Sequence, residues 1–132
     1  MSESIIQQWL DSVVASIESR DYPAHINLLS KRVQLTGVPG FDTIDYDAWT
    51  TQCKHEFENN LIKRIQYRGL KLQASTAKNI MFKTIETVEG SDGTVNEQGI
   101  EVLLEIEDDG IWRLLQERIL SDDEVKHDNL DQ

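Results

Sequence analysis

A chain of 132 residues, 39% hydrophobic and 28% charged, has the composition of one soluble domain that buries roughly two-thirds of its unfolded surface. Its 24 acidic residues outnumber 13 Lys and Arg, a net charge of −11, which argues against the cationic surface that nucleic acids and anionic membranes require. The lone Cys53 cannot close an internal disulfide, MSESIIQQWLDS does not read as a signal peptide, and no apolar run approaches the ~20 residues of a membrane span, so a cytoplasmic protein is expected.

Ile6, Trp9, Leu10, Val13, Val14 and Ile17 recur at the spacing of an amphipathic helix, with Ser4 and Gln7 fitting a capping box and a stop near Arg20. Asp21-Tyr22-Pro23 supplies the cap and first turn of a short second helix carrying Tyr22, His25, Ile26 and Leu29 on one side. Val33 to Thr36 alternates as a short strand, and Gly37 to Gly40 turns the chain. Asp45 can cap a third helix bearing Tyr46, Trp49, Cys53, Phe57 and Leu61, with an end near Asn59-Asn60.

Beyond this point the period is extended. From Ile62 to Ser75 the apolar positions switch from odd (Ile65, Tyr67) to even (Leu70, Leu72, Ala74) across Gly69, the mark of a β-bulge. Asn79 to Glu89 forms a strand with Ile80, Phe82 and Val88 on one face and Met81 and Ile85 on the other. Residues 1–120 make one domain, and the acidic tail 121–132 is expected to fray.

The segment from Gly99 to Leu120 reads as a hairpin whose turn admits two registers. A two-residue turn at Asp109-Gly110 pairs Glu101 with Arg118 but leaves Arg113 and Glu117 on the buried side. A three-residue loop, Asp108 to Gly110, pairs Ile106 with Trp112, Leu104 with Leu114, Val102 with Gln116 and Ile100 with Arg118. Burying Trp112 and Leu114 is worth roughly 1.5–3 kcal/mol each, against about 0.2–1 kcal/mol for one cross-strand ion pair. The three-residue loop is therefore expected, with Gln116 and Arg118 on the inner face.

On that register Arg118 is the first ligand-binding candidate, an anchor for an anionic group, with Gln116 as its neutral companion. The plain alternative is an exposed or acid-paired arginine. His25 and Tyr46 are the catalytic candidates, His25 because an imidazole titrating near neutrality suits a general base. Trp49 and Trp112 join the ligand-facing set, although packing suits both better than ligand stacking. Cys53, without a neighbouring cation, reads as an inert buried thiol. The acids resolve into no dyad, His and Cys spacings give no metal site, and no cofactor motif is present.

Three helices with a short strand among them, a long bent antiparallel sheet and the ending DDGIWRLLQERIL, with Asp109, Gly110, Trp112, Arg113 and Leu114 matching, resemble the nuclear transport factor 2-like superfamily. That α+β cone fold includes SnoaL-like polyketide cyclases. The resemblance implies a pocket between sheet and helices, frequent homodimers through the outer sheet face, and cyclase, isomerase or epoxide hydrolase chemistry using pocket acids, histidines or tyrosines. The chain departs from it where SnoaL-like proteins often carry histidines on the last strand, since Gln116 and Arg118 stand there. It departs again in lacking an acid between Val33 and Thr36 and a tyrosine near Val13. Two functions follow: a small-molecule pocket protein of the cyclase or isomerase kind, or a non-catalytic dimeric module associating through Leu103, Leu115, Ile119, Met81 and Ile85.

Overall fold

The computed structural model describes residues 2–130. Helix α1, Ser2–Glu18, buries Ile6, Trp9, Leu10, Val13 and Ile17, the stripe its spacing predicts. It is already helical at Ser2, so Ser4 lies within the helix and does not begin it. Asp21 accepts a hydrogen bond from the Ala24 amide at 3.1 Å and starts α2, Tyr22–Ile26. Strand β1 runs over Leu29–Thr36, longer than its alternating core. Asp45 caps α3, Tyr46–Glu58, by accepting from Ala48 N at 3.0 Å, and Asn59 closes that helix.

Strands β2 (Ile62–Ser75), β3 (Asn79–Gly90), β4 (Val95–Ile106) and β5 (Trp112–Ile119) complete the sheet in the order β1-β5-β4-β3-β2. Pairing is antiparallel from β2 to β5, as expected, and the short strand β1 joins β5 in parallel at the sheet edge. The phase switch at Gly69 is a bulge: Arg68 pairs with Ile85, Leu70 pairs with Thr84, and Gly69 between them has φ +69°. Helix α1 lies on the inner sheet face, where Ile80, Phe82, Ile100, Val102, Leu104 and Leu114 close one core with Val33 and Ile65. Each such side chain contributes roughly 1.5–3 kcal/mol by leaving water.

The β4–β5 hairpin adopts both registers in succession. Near the turn, Ile106 pairs with Trp112 and Leu104 with Leu114, and Gly110 takes the left-handed conformation (φ +81°) of a three-residue loop. The register then shifts between Leu103 and Leu104: Leu103 pairs with Gln116, Val102 with Glu117, Glu101 with Arg118 and Ile100 with Ile119. Leu115 is the extra residue. The bulge sends Glu117 and Ile119 to the inner face and returns Gln116 and Arg118 to the outer face, reversing the placement expected for the second half of the strand. The physical reason is visible in what each residue gains. Ile119 is sheltered where Arg118 would have lain, and Arg118 reaches Glu101 and Glu124 at 3.3 and 2.9 Å.

Residues 121–130 of the tail are also ordered where fraying was expected; Asp131 and Gln132 lie outside the described residues. Ser121 caps helix α4, Asp122–His127, whose acids occupy the first turn and whose Lys126 and His127 occupy the last, both favourable to the helix dipole. Leu130, 3% exposed, then packs with Ile85 and Leu120, and Asp128 bridges Lys71 and Lys83 at 2.8 and 2.7 Å. The outer face foreseen for association is smaller in consequence: the tail covers Ile85, and Ile119 lines the interior. No helix among the described residues is long and apolar enough to cross a membrane.

Candidate functional site

The inner sheet face and helices α1 to α3 enclose a cavity of about 320 Å³. Its walls are mostly apolar and aromatic, with Trp9, Trp49, Leu29, Val88 and Ile119 among them, a common character of small-molecule sites. The polar groups are few: Tyr67 from β2, Glu86 from β3, Gln98 from β4, Glu117 from β5, Glu56 and Cys53 from α3, and His25 from α2. No Lys or Arg lines this cavity.

Strand alternation delivers the carboxyl pair. Glu86 shares the inner face of β3 with Phe82 and Val88, and Tyr67, directly across from it on β2, donates its hydroxyl to Glu86 Oε2 at 3.0 Å. Glu117 comes inward through the Leu115 bulge. Its residue is only 8% exposed, it lines the cavity, and no side chain among the described residues donates a hydrogen bond to its carboxyl.

The two acids differ in environment. Burial drives Glu117 well above the usual carboxylate range, and the neighbouring Glu86 charge pushes it further. Glu86 is also raised by burial, but hydrogen bonds from Tyr67 and Gln98 hold it down. Glu86 is therefore the member that ionises first, and Glu117 the member that keeps its proton. Burial and both carboxyls raise Tyr67 well above the ordinary phenol range, so it remains a donor. Glu56, at the cavity wall, is raised by burial too.

The residues proposed from sequence divide between this cavity and elsewhere. His25 and Trp49 line it. His25 is not poised near neutrality, however: burial lowers it to about 4, its Nδ1 lies 2.8 Å from Ser16 Oγ, and its ring sits 5.2 Å from that of Phe57. It is a neutral hydrogen-bonding group at ordinary pH. Tyr46 faces a different depression, beside Ile26, Arg32 and Arg113. Trp112 packs against the core opposite Ile106 and is not part of the cavity wall. Gln116 and Arg118 line a small outer groove with Gln34, Met81 and Glu101, and Arg118 is ion-paired there. Cys53 is buried and its thiol is pushed up to about 12, in keeping with an inert role.

Sequence reasoning missed Glu86 and Glu117. Glu86 carried a signal, a charge at an even position of a strand whose even positions are core. Glu117 did not, because its direction depends on a bulge marked only by the Leu114-Leu115 doublet. Among the described residues no three His, Cys, Asp or Glu side chains are grouped to hold a metal ion.

A helix-backed open sheet with its interior hollowed beside the last strands defines the nuclear transport factor 2-like fold, and solved structures agree. A nuclear transport factor 2-like protein of unknown function from Shewanella oneidensis superposes with a TM-score of 0.74 over 90% of this chain and 98% of its own, at 13% identity. A ketosteroid isomerase-like protein from Erwinia carotovora matches with a TM-score of 0.61 at 17% identity, covering 89% and 95% of the two chains. A putative scytalone dehydratase from Novosphingobium aromaticivorans matches at 0.69 and 7% identity, covering 89% and 81%. No family model matches the sequence, and no curated protein sequence does. The chain has the nuclear transport factor 2-like fold.

Proposed function

We propose that this protein binds a small organic molecule in its cavity and moves a proton on it, with Glu86 as base and Glu117 as acid. The observation that carries this is the carboxyl of Glu117, a residue 8% exposed, which has no hydrogen-bond partner among the described residues and opens to an apolar cavity beside the Tyr67–Glu86 pair. An unpaired buried carboxyl costs folding free energy, and such a cost persists where function requires the group. Two carboxyls whose surroundings push their proton affinities apart form an acid and a base within one site. Neighbours of this fold with isomerase-like and dehydratase names are consistent with that chemistry.

The test begins with small molecules that co-purify with the protein, compared by untargeted mass spectrometry with those of Val88→Trp, which fills the cavity. A molecule enriched with the wild type and absent from the variant is expected. Incubated with the protein in D2O, that molecule should gain deuterium, and with Glu86→Gln it should not. Equal extracts from the two proteins would contradict the binding claim, and absence of exchange would contradict the proton transfer.

A second reading, association of two copies, is favoured by Met81 and Leu103, half-buried partners across β3 and β4 on the face turned away from α1. Light scattering at micromolar concentration tests it: a dimer mass supports it and a monomer mass contradicts it.

A further inference from the structure

Resting on that cavity, we infer that its occupant is an organic cation, a compact apolar molecule bearing one amine or quaternary ammonium group, whose charge the unpartnered Glu117 carboxyl receives with Glu86 behind it. The lining decides the sign of the ligand. Three carboxyls, Glu56, Glu86 and Glu117, face a space that no Lys or Arg enters. The one other basic group, His25, is held neutral by burial. An anionic ligand would bring further negative charge into a low-dielectric enclosure already short of counter-charge. A neutral ligand would leave the Glu86 carboxylate without a cation. A cation supplies what the site lacks.

The walls suit the rest of such a molecule. Trp9, Trp49 and Tyr67 supply aromatic surface, which attracts ammonium groups as well as apolar ones. The whole chain carries −11, so its field draws cations toward it. Glu86 from β3, Tyr67 from β2 and Cys53 from α3 act electrostatically on Glu117, Gln98, Glu56 and His25 complete the polar lining of the cavity, and none of them supplies a positive charge. Where an amine cation brings with it the proton by which Glu117 acts as acid, a quaternary ammonium ion brings none, so its entry draws the proton from the Glu117 carboxyl to the buffer and leaves a carboxylate against it. Binding and proton release are one event.

Titration with benzyltrimethylammonium, benzyl alcohol and benzoate, followed by the fluorescence of Trp9 and Trp49 and by calorimetry, separates the possibilities. The cation is expected to bind about tenfold or more tightly than the alcohol, and benzoate not at all. Its affinity should rise with pH as the Glu117 carboxyl gives up its proton, and its binding heat should differ between phosphate and Tris buffers through the released proton. In Glu117→Gln the preference for the cation over the alcohol should vanish; if that variant does not fold, the wild-type pH and buffer dependence decides the point. Alcohol binding equal to the cation, or a cation affinity flat with pH, would overturn the cation while leaving the cavity a ligand site. Failure of all three probes to bind would overturn both.

Discussion

Glu117 lies opposite Val102 in the β4–β5 pair, and that single pairing brings a carboxyl into the cavity. One residue earlier in register it would have faced out, as Arg118 does. Its burial has a measurable consequence. A carboxyl whose folded affinity for the proton exceeds the unfolded one contributes stability below its unfolded pKa, and that contribution is lost as pH rises through the folded pKa. The wild type should therefore weaken from about pH 5 upward on this account, whereas Glu117→Gln should escape that loss. Thermal melts at about pH 8 should show the variant higher by a few °C, roughly 1 kcal/mol, with the two converging at acid pH. A variant melting lower at about pH 8 would contradict the buried, proton-retaining carboxyl.

His25 imposes the opposite slope. Burial lowers it from 6.5 to about 4, so the unfolded chain takes up the proton first as pH falls. Stability present above about pH 6.5 should decline toward about pH 4, by up to about 3 kcal/mol for this group. Urea midpoints across that range, compared with those of His25→Gln, measure it; parallel profiles for the two proteins would place the histidine in solvent.

Gly69 ties the β2 bulge to the tail. Its φ of +69° disfavours a side chain, and a Cβ there would stand 2.5 Å from the Leu130 carbonyl oxygen. Gly69→Ala should cost about 1–2 kcal/mol or more and should speed amide exchange in residues 122–130. Asp128→Asn, which weakens the ties to Lys71 and Lys83, should speed exchange in the same segment and leave the core strands protected. Exchange already fast there in the wild type would contradict the packed tail.

Cys53 is 4% exposed and its thiol is pushed up to about 12. It should resist thiol reagents at neutral pH until the protein unfolds. Rapid labelling of the native protein would show a more open α3 wall.

The architecture was legible wherever one periodicity governs a segment. The α1 stripe, the Asp21 and Asp45 caps, the Gly69 phase switch and the turn at Gly110 each follow from side-chain spacing or from the special backbone freedom of one residue. The site was less legible because it depends on a register. Alternation counted outward from Trp112 predicts Gln116 and Arg118 inside, and one inserted residue, Leu115, reverses every position after it. What stabilises that insertion is non-local: shelter for Ile119 and acidic partners for Arg118, one of them on a tail helix that reads as disordered by composition alone. His25 lines the cavity, but its proton affinity follows from burial, which spacing does not report. Glu86 was readable as a charge on a core face and was passed over among many acids.

The proton on Glu117 offers the most direct measurement. Carbon-13 NMR of the glutamate side-chain carboxyls, with Glu117 assigned by comparison with Glu117→Gln, follows its titration directly. A midpoint well above the ordinary 4.5 is expected for Glu117, its neutral-acid resonance persisting after the exposed glutamates have ionised. A carboxylate resonance titrating near that ordinary value would contradict the account.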